Sequence, residues 1–142
     1  MRFILAGHDR LVAEWVCARV KDLTLSGAGH TAIGLMDQDG VILAGVVYDV
    51  FRGYDIQMHV AGVADKRWLT KTFLQEAFRY PFEQLMVTRV TGLVAASNIA
   101  AQRFDEHLGF KLEGRVRKGM PDGDDLLIYG MLRSECRWLT TH

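Results

Sequence analysis

Residues 65–73 read Asp-Lys-Arg-Trp-Leu-Thr-Lys-Thr-Phe and set Lys66, Arg67 and Lys71 beside the hydroxyls of Thr70 and Thr72. A strand-like run precedes them and a helix-like run follows. A helix that starts just after a strand exposes unsatisfied backbone N–H groups and the positive end of its dipole. With cations added, such an end suits an anion such as a diphosphate. The amides concerned would be those of Trp68, Leu69, Thr70, Lys71 and Thr72. The plainer reading is that Trp68 packs and the cations are solvated.

A second group lies just upstream. Residues 55–63 alternate: Ile56, Met58 and Val60 face one way, Asp55, Gln57 and His59 the other. Histidine changes charge near neutral pH, so His59 is a candidate general base. Its bland alternative is a half-buried sheet residue. Asp55 is a weaker candidate for the same role. Neither the two cysteines, Cys17 and Cys136, nor the five histidines fall at metal-ligand spacing, so no metal site is expected. Both thiols are expected to be reduced packing residues.

These groups need elements to hold them. Asp9 is expected to cap a helix running to about Val20, with Leu11, Val12, Trp15, Val16 and Val20 on one face. Residues 31–36 and 41–50, joined by Asp37-Gln38-Asp39-Gly40, predict a β-hairpin. Residues 55–63 are the next strand. A helix from about Trp68 carries Leu69, Phe73, Ala77 and Phe78 close to helical spacing, and Pro81 should end or kink it near Tyr80. Residues 86–95 read as a strand of β-branched residues. Residues 97–110 read as a short helix, capped by Ser97 or Asn98 and stopped by Gly109. Residues 111–119, a turn at Pro121-Asp122-Gly123 and a long strand over 125–139 close the chain. The order α-β-β-β-α-β-α-β-β contains a βαβ unit flanked by antiparallel hairpins. It predicts an α/β (α+β) mixed sheet with helices packed on it.

The 142 residues suit one domain, 1–142, and the 49% hydrophobic content suits a real core. Lys+Arg and Asp+Glu are both 17, so there is no basic surplus of the kind a nucleic-acid partner would call for. No apolar run approaches the ~18 residues of a membrane span, and a cytoplasmic protein is the default expectation.

Downstream the chain becomes recognisable. Residues 98–119 resemble a pattern of the GNAT superfamily of N-acetyltransferases, through Asn98, Ala101, Glu106, Leu108, Gly109, Phe110, Glu113, Gly114 and Arg117. The resemblance is closest to the branch of ribosomal-protein N-terminal acetyltransferases. Residues 78–90 and 123–131 also look like that branch. The likeness extends from residue 55 to about residue 138.

The resemblance implies a mostly antiparallel, twisted sheet of six to seven strands around a central βαβ unit. It implies an acetyl-CoA-dependent N-acetyltransferase acting on a primary amine, of a protein or a small molecule, with no metal; a homodimer is an open possibility. It places the CoA diphosphate on a motif (Gln/Arg)-x-x-Gly-x-(Gly/Ala), here Arg67 to Thr72, with Thr70 and Thr72 where glycines belong. Val60, Ala61 and Gly62 would line the cofactor, with strand amides as oxyanion donors. Asn98 would contact the pantetheine arm, and Arg103 would lie near the nucleotide. Many relatives place an acidic tyrosine in the helix before Leu-Gly-Phe; here that place holds Asp105. Asp105 and Glu106 are read as helix-surface charges. Tyr129 is the remaining candidate acid, if the sheet brings it to the site. The alternative is a GNAT-fold protein that has lost catalysis and acts through macromolecular contacts, which the missing glycines and tyrosine favour.

Overall fold

The alternating apolar runs form one sheet. In the computed structural model, which describes residues 1–20 and 23–139, seven strands pair in the order β1-β2-β3-β4-β5-β7-β6. The strands are β1 (Arg2–Leu5), β2 (Thr31–Asp37), β3 (Ile42–Asp49), β4 (Asp55–Gly62), β5 (Arg89–Ala95), β6 (Lys111–Val116) and β7 (Leu126–Leu132). All neighbours are antiparallel except β4 and β5, which the crossover helix α2 (Lys71–Arg79) joins in parallel. Helix α1 (Asp9–Cys17) precedes β2, and α3 (Ile99–Leu108) joins β5 to β6.

Two clusters cover the two faces. On one, Val12, Ala13 and Val16 of α1 meet Ala32 and Val47. On the other, Phe73, Leu74, Ala77 and Phe78 of α2 and Leu108 of α3 meet Val46, Tyr48, Ile56, Met58, Val90 and Tyr129. Strand alternation therefore places Ile56 and Met58 toward α2, and Gln57, His59 and Ala61, paired with Asp49, Val47 and Gly45, toward α1.

Several elements differ from expectation for identifiable reasons. β1 went unforeseen: its four residues are too short for a periodic signal, and it is an edge strand on β2. Asp9 does not cap α1; its carboxylate accepts from the Ala32 amide at 3.0 Å, tying α1 to the sheet. α1 also ends at Cys17 rather than near Val20. α2 starts at Lys71, not Trp68, because Thr70 takes an extended backbone and its hydroxyl accepts from the Phe73 amide at 3.2 Å. Pro81 turns the helix end into a π turn over Tyr80–Gln84. Gly109 ends α3 at φ 112°, as expected of a left-handed stop. The last strand stops at Leu132, where Glu135 accepts from the Leu132 amide at 2.9 Å. The chain then turns back, and Trp138 donates to the Leu108 carbonyl at 2.8 Å, closing over the end of α3.

Tyr48 pins α2 to the sheet: its hydroxyl, on a side chain 1% exposed, donates to the Ala77 carbonyl at 2.5 Å. Tyr48→Phe should cost about 1–2 kcal/mol in urea denaturation, the loss of one buried hydrogen bond. An unchanged midpoint would show that this bond does not hold α2.

Candidate active site

β4 and β5 are registered against each other only at Asp55–Arg89, Ile56–Val90 and Gln57–Thr91. Beyond that, β4 pairs only with β3 as far as Gly62, and β5 only with β7 as far as Ala95. The two strands therefore part into a fork, with Met58 and His59 opening one arm and Gly92 the other. The fork's backbone edges face one another without ladder bonds across the gap, so its polar groups are available to a guest.

The closed end is stapled. Arg89 lies 3.5 Å from the Asp55 carboxylate and 2.5 Å from Glu113. Thr91 donates to Asp55 at 2.8 Å. Glu113 reaches Arg89 because it is the bulged residue between Leu112 and Gly114 on β6, and because Gly130 beneath it has no side chain; a Cβ there would overlap both partners. Asp55 is thus held between a guanidinium and a hydroxyl, an arrangement that occupies it structurally.

The α1 face carries His59, 8% exposed. Burial lowers its pKa from the ordinary value, partly offset by the nearby Asp49 carboxylate. It is therefore neutral at pH 7 and able to accept a proton. Asp49, 2% exposed, takes two hydrogen bonds from Ser26, from the amide and the hydroxyl, both at 2.6 Å. Burial alone would raise this carboxyl; the Ser26 bonds, the Val50 amide and His59 outweigh it and lower it overall. Sequence reading missed Asp49, because an aspartate at the end of an apolar strand carries no local signal that a loop serine 23 residues away will cap it.

The opposite face carries Tyr129 and Asp105. The Tyr129 hydroxyl donates to Glu106 at 2.8 Å, and burial together with that bond pushes it to about 12. The sheet thus puts Tyr129 on the other face from His59 and Asp55, and the three do not form one group. Asp105 is not the surface charge expected of it, although Glu106 beside it is exposed. Its carboxylate lies against Gly92, 3.3 Å from where a Cβ would stand, and burial, with Glu106 adding repulsion, pushes it up to about 7. The periodicity of α3 gave no hint of this, because what admits the carboxylate is the missing side chain on a different element.

At the mouth of the fork the loop before α2 is folded on itself. The Trp68 indole, 4% exposed, donates to the Val63 carbonyl at 2.9 Å. It lies flat against Gly62, where any Cβ would overlap it, and meets the Phe104 ring of α3 at 5.6 Å and Phe73 of α2 at 6.3 Å. Trp68 therefore spans from the end of β4 to α3. The Leu69 amide donates to Lys66 at 3.0 Å and the Thr70 amide to Trp68 at 2.8 Å. Of the five amides expected to cradle a diphosphate, those of Leu69 and Thr70 are thus spent inside the loop. Among the described residues no acceptor stands against the amides of Lys71 and Thr72, the first two of the helix. Arg67 is paired with Asp65 at 3.3 Å on the surface. Val60 and Ala61 are half-buried along β4. Asn98 is the cap of α3, accepting from the Ala101 amide at 3.1 Å, and Arg103 is exposed. Both thiols are free, Cys136 buried and Cys17 half-buried. Among the described residues no cluster of His, Cys, Asp or Glu could hold a metal ion, and no helix is long and apolar enough to cross a membrane.

No family model and no curated protein matches this chain. Solved structures do. A mutant of the spermidine N-acetyltransferase SpeG from Vibrio cholerae aligns at TM-score 0.74 and 12% identity over 98% of this chain and 96% of that one. Spermidine/spermine N-acetyltransferase SpeG from the same organism, in complex with manganese ions, aligns at TM-score 0.72 and 13% identity over 94% and 93%. A probable acetyltransferase aligns at TM-score 0.64 and 21% identity over 76% of this chain and 63% of that one. The chain has the GNAT fold of these acetyltransferases. The ribosomal-protein branch finds no support among them.

The position of Asp105 has a stability consequence. Its folded pKa is raised, so folding favours its protonated form; this contribution is complete below pH ~4 and is lost as pH rises to about 7. Asp105→Asn should remove that dependence, gaining on the parent protein between about pH 5 and pH 8 in denaturant titrations. An identical difference at both pH values would show that the carboxyl is not buried as described.

Proposed function

We propose that this chain transfers an acetyl group from acetyl-CoA to a primary amine by direct attack. The single observation that carries the reading is the fork, which ends on the free amides of Lys71 and Thr72. Two amides, the start of the α2 dipole and the charges of Lys66, Arg67 and Lys71 suit a diphosphate. The open edge of β4 from Met58 to Gly62 suits the amide-containing arm that must run from diphosphate to thioester. Trp68 must yield part of the mouth for that arm to enter.

His59 answers the first demand of the chemistry. An amine attacks only when neutral, and an alkyl ammonium has a reference pKa of about 10.4. Buried, neutral His59 takes the proton as the nitrogen bonds to the thioester carbon. Amides of the open β4 edge stabilise the oxyanion that forms. Asp49, fixed by Ser26, stabilises the imidazolium produced. The acceptor class is a small or peptidic primary amine; spermidine is the first to try, since it is the substrate named for SpeG.

A second reading has its own observation. The loop satisfies two of its amides internally and seals the mouth with an indole, as a GNAT-fold binding protein without catalysis would. Calorimetry with acetyl-CoA separates the two. The enzyme reading expects micromolar binding that Arg67→Glu weakens roughly tenfold, or about 1.4 kcal/mol. No heat at millimolar acetyl-CoA would contradict it and leave the binding-protein reading standing.

A further inference from the structure

Acetyl transfer to an amine moves two protons: one leaves the attacking nitrogen, and one must reach the departing sulfur. His59 serves the first and stands on the α1 face. We propose that Asp105, on the opposite face of the same fork, is the proton donor to the leaving thiolate, an assignment that rests on acetyl-CoA-dependent transfer.

The geometry is specific. Thr91 is the last β5 residue registered against β4, and Gly92 is the next, the first residue of the open arm. Asp105 Oδ2 sits over Gly92, 3.3 Å from the site a Cβ would fill, so the absent side chain gives the carboxyl access to the backbone edge of the fork. His59 lies two residues beyond Gln57, the last β4 partner, so the two groups flank the separation point from opposite faces. Among the described residues no hydrogen-bond donor stands against the Asp105 carboxylate, which leaves it free for a guest. Tyr129 is a poor rival: its hydroxyl already donates to Glu106, and it is held at about 12. The titratable groups near Asp105 are Glu106 on its own helix, whose repulsion favours the protonated carboxyl, and Tyr129 on β7, an uncharged phenol near neutral pH. The other side chains at the same point over Gly92 are the Phe110 ring and the Tyr129 Cβ, both at 3.9 Å and both uncharged.

The step balances. The amine nitrogen forms its bond to the carbonyl carbon and gives its proton to His59. The carbon–sulfur bond breaks with its electron pair on sulfur, and Asp105 passes its proton to that sulfur, leaving a thiol and a carboxylate. Solvent returns the proton to Asp105 and removes the one on His59. No oxidant or reductant is required.

The test compares the full chain with Asp105→Asn and Asp105→Glu, using acetyl-CoA and spermidine across pH. The parent kcat should fall as pH rises through about 7, when Asp105 loses its proton. Asp105→Asn should lower kcat by about 100-fold or more with the KM for acetyl-CoA within about twofold, and should lose the alkaline fall. Asp105→Glu should recover part of the rate and the fall with it. Parent-like kcat and pH profile in Asp105→Asn would overturn the assignment while leaving acetyl transfer intact; absence of transfer in the parent protein overturns both. A readout free of turnover stands beside these. Carboxyl carbon NMR of the parent protein should show Asp105 titrating near 7, and titration near the ordinary carboxylate value would refute the assignment even if Asp105→Asn failed to fold.

Discussion

Everything at the candidate site depends on one constraint: β4 and β5 run together for only Asp55 to Gln57 and then separate. A parallel pair that stayed in register would satisfy its own edges and leave nothing for a guest. Separation needs a closed end that does not slip, and the Asp55–Arg89–Glu113 group with Thr91 supplies it, drawing β4, β5 and β6 onto one guanidinium. It also needs an open end that does not collapse. There Trp68 fills the span between Gly62 and Phe104, with its one polar atom satisfied by the Val63 carbonyl. The mouth of the fork is thus filled by one side chain, packed between β4 and α3.

The two titratable groups beside the fork are tuned in opposite senses by the same cause. Burial disfavours charge, so it lowers the pKa of His59 and raises that of Asp105. The outcome near neutral pH is a neutral base on one face and a partly protonated acid on the other. Neither shift arises from the surface cations of the loop, which are not among its causes.

Much of the fold was legible because it rests on periodicity. The hairpin over β2 and β3, the βαβ unit, the Asn98 cap and the Gly109 stop all followed from local patterns and were found. His59 and Asp55 were also placed on the correct face by simple alternation. What was not legible came from distant pairings. Asp105 looked like a surface charge, because helical spacing cannot show that Gly92 on β5 leaves room for it. Asp49 had no visible partner until Ser26 folded across it. Trp68 was read as either packing or lying in a cradle, and the structure shows it packing, with the helix start moved to Thr70 by a hydroxyl cap that sequence alone allowed but did not require. The threonines once set against glycine thus have different fates: Thr70 caps the helix, while Thr72 is exposed with its amide free.

The central claim is that the fork and the first two amides of α2 form one continuous site for an acyl-CoA. Amide chemical shifts recorded during an acetyl-CoA titration test it most directly. The account predicts that Lys71, Thr72, the β4 amides from Met58 to Gly62, Gly92 and the Trp68 indole N–H respond together with a single dissociation constant. Shifts confined to the surface cations, with β4, Gly92 and the indole unmoved at saturation, would contradict it.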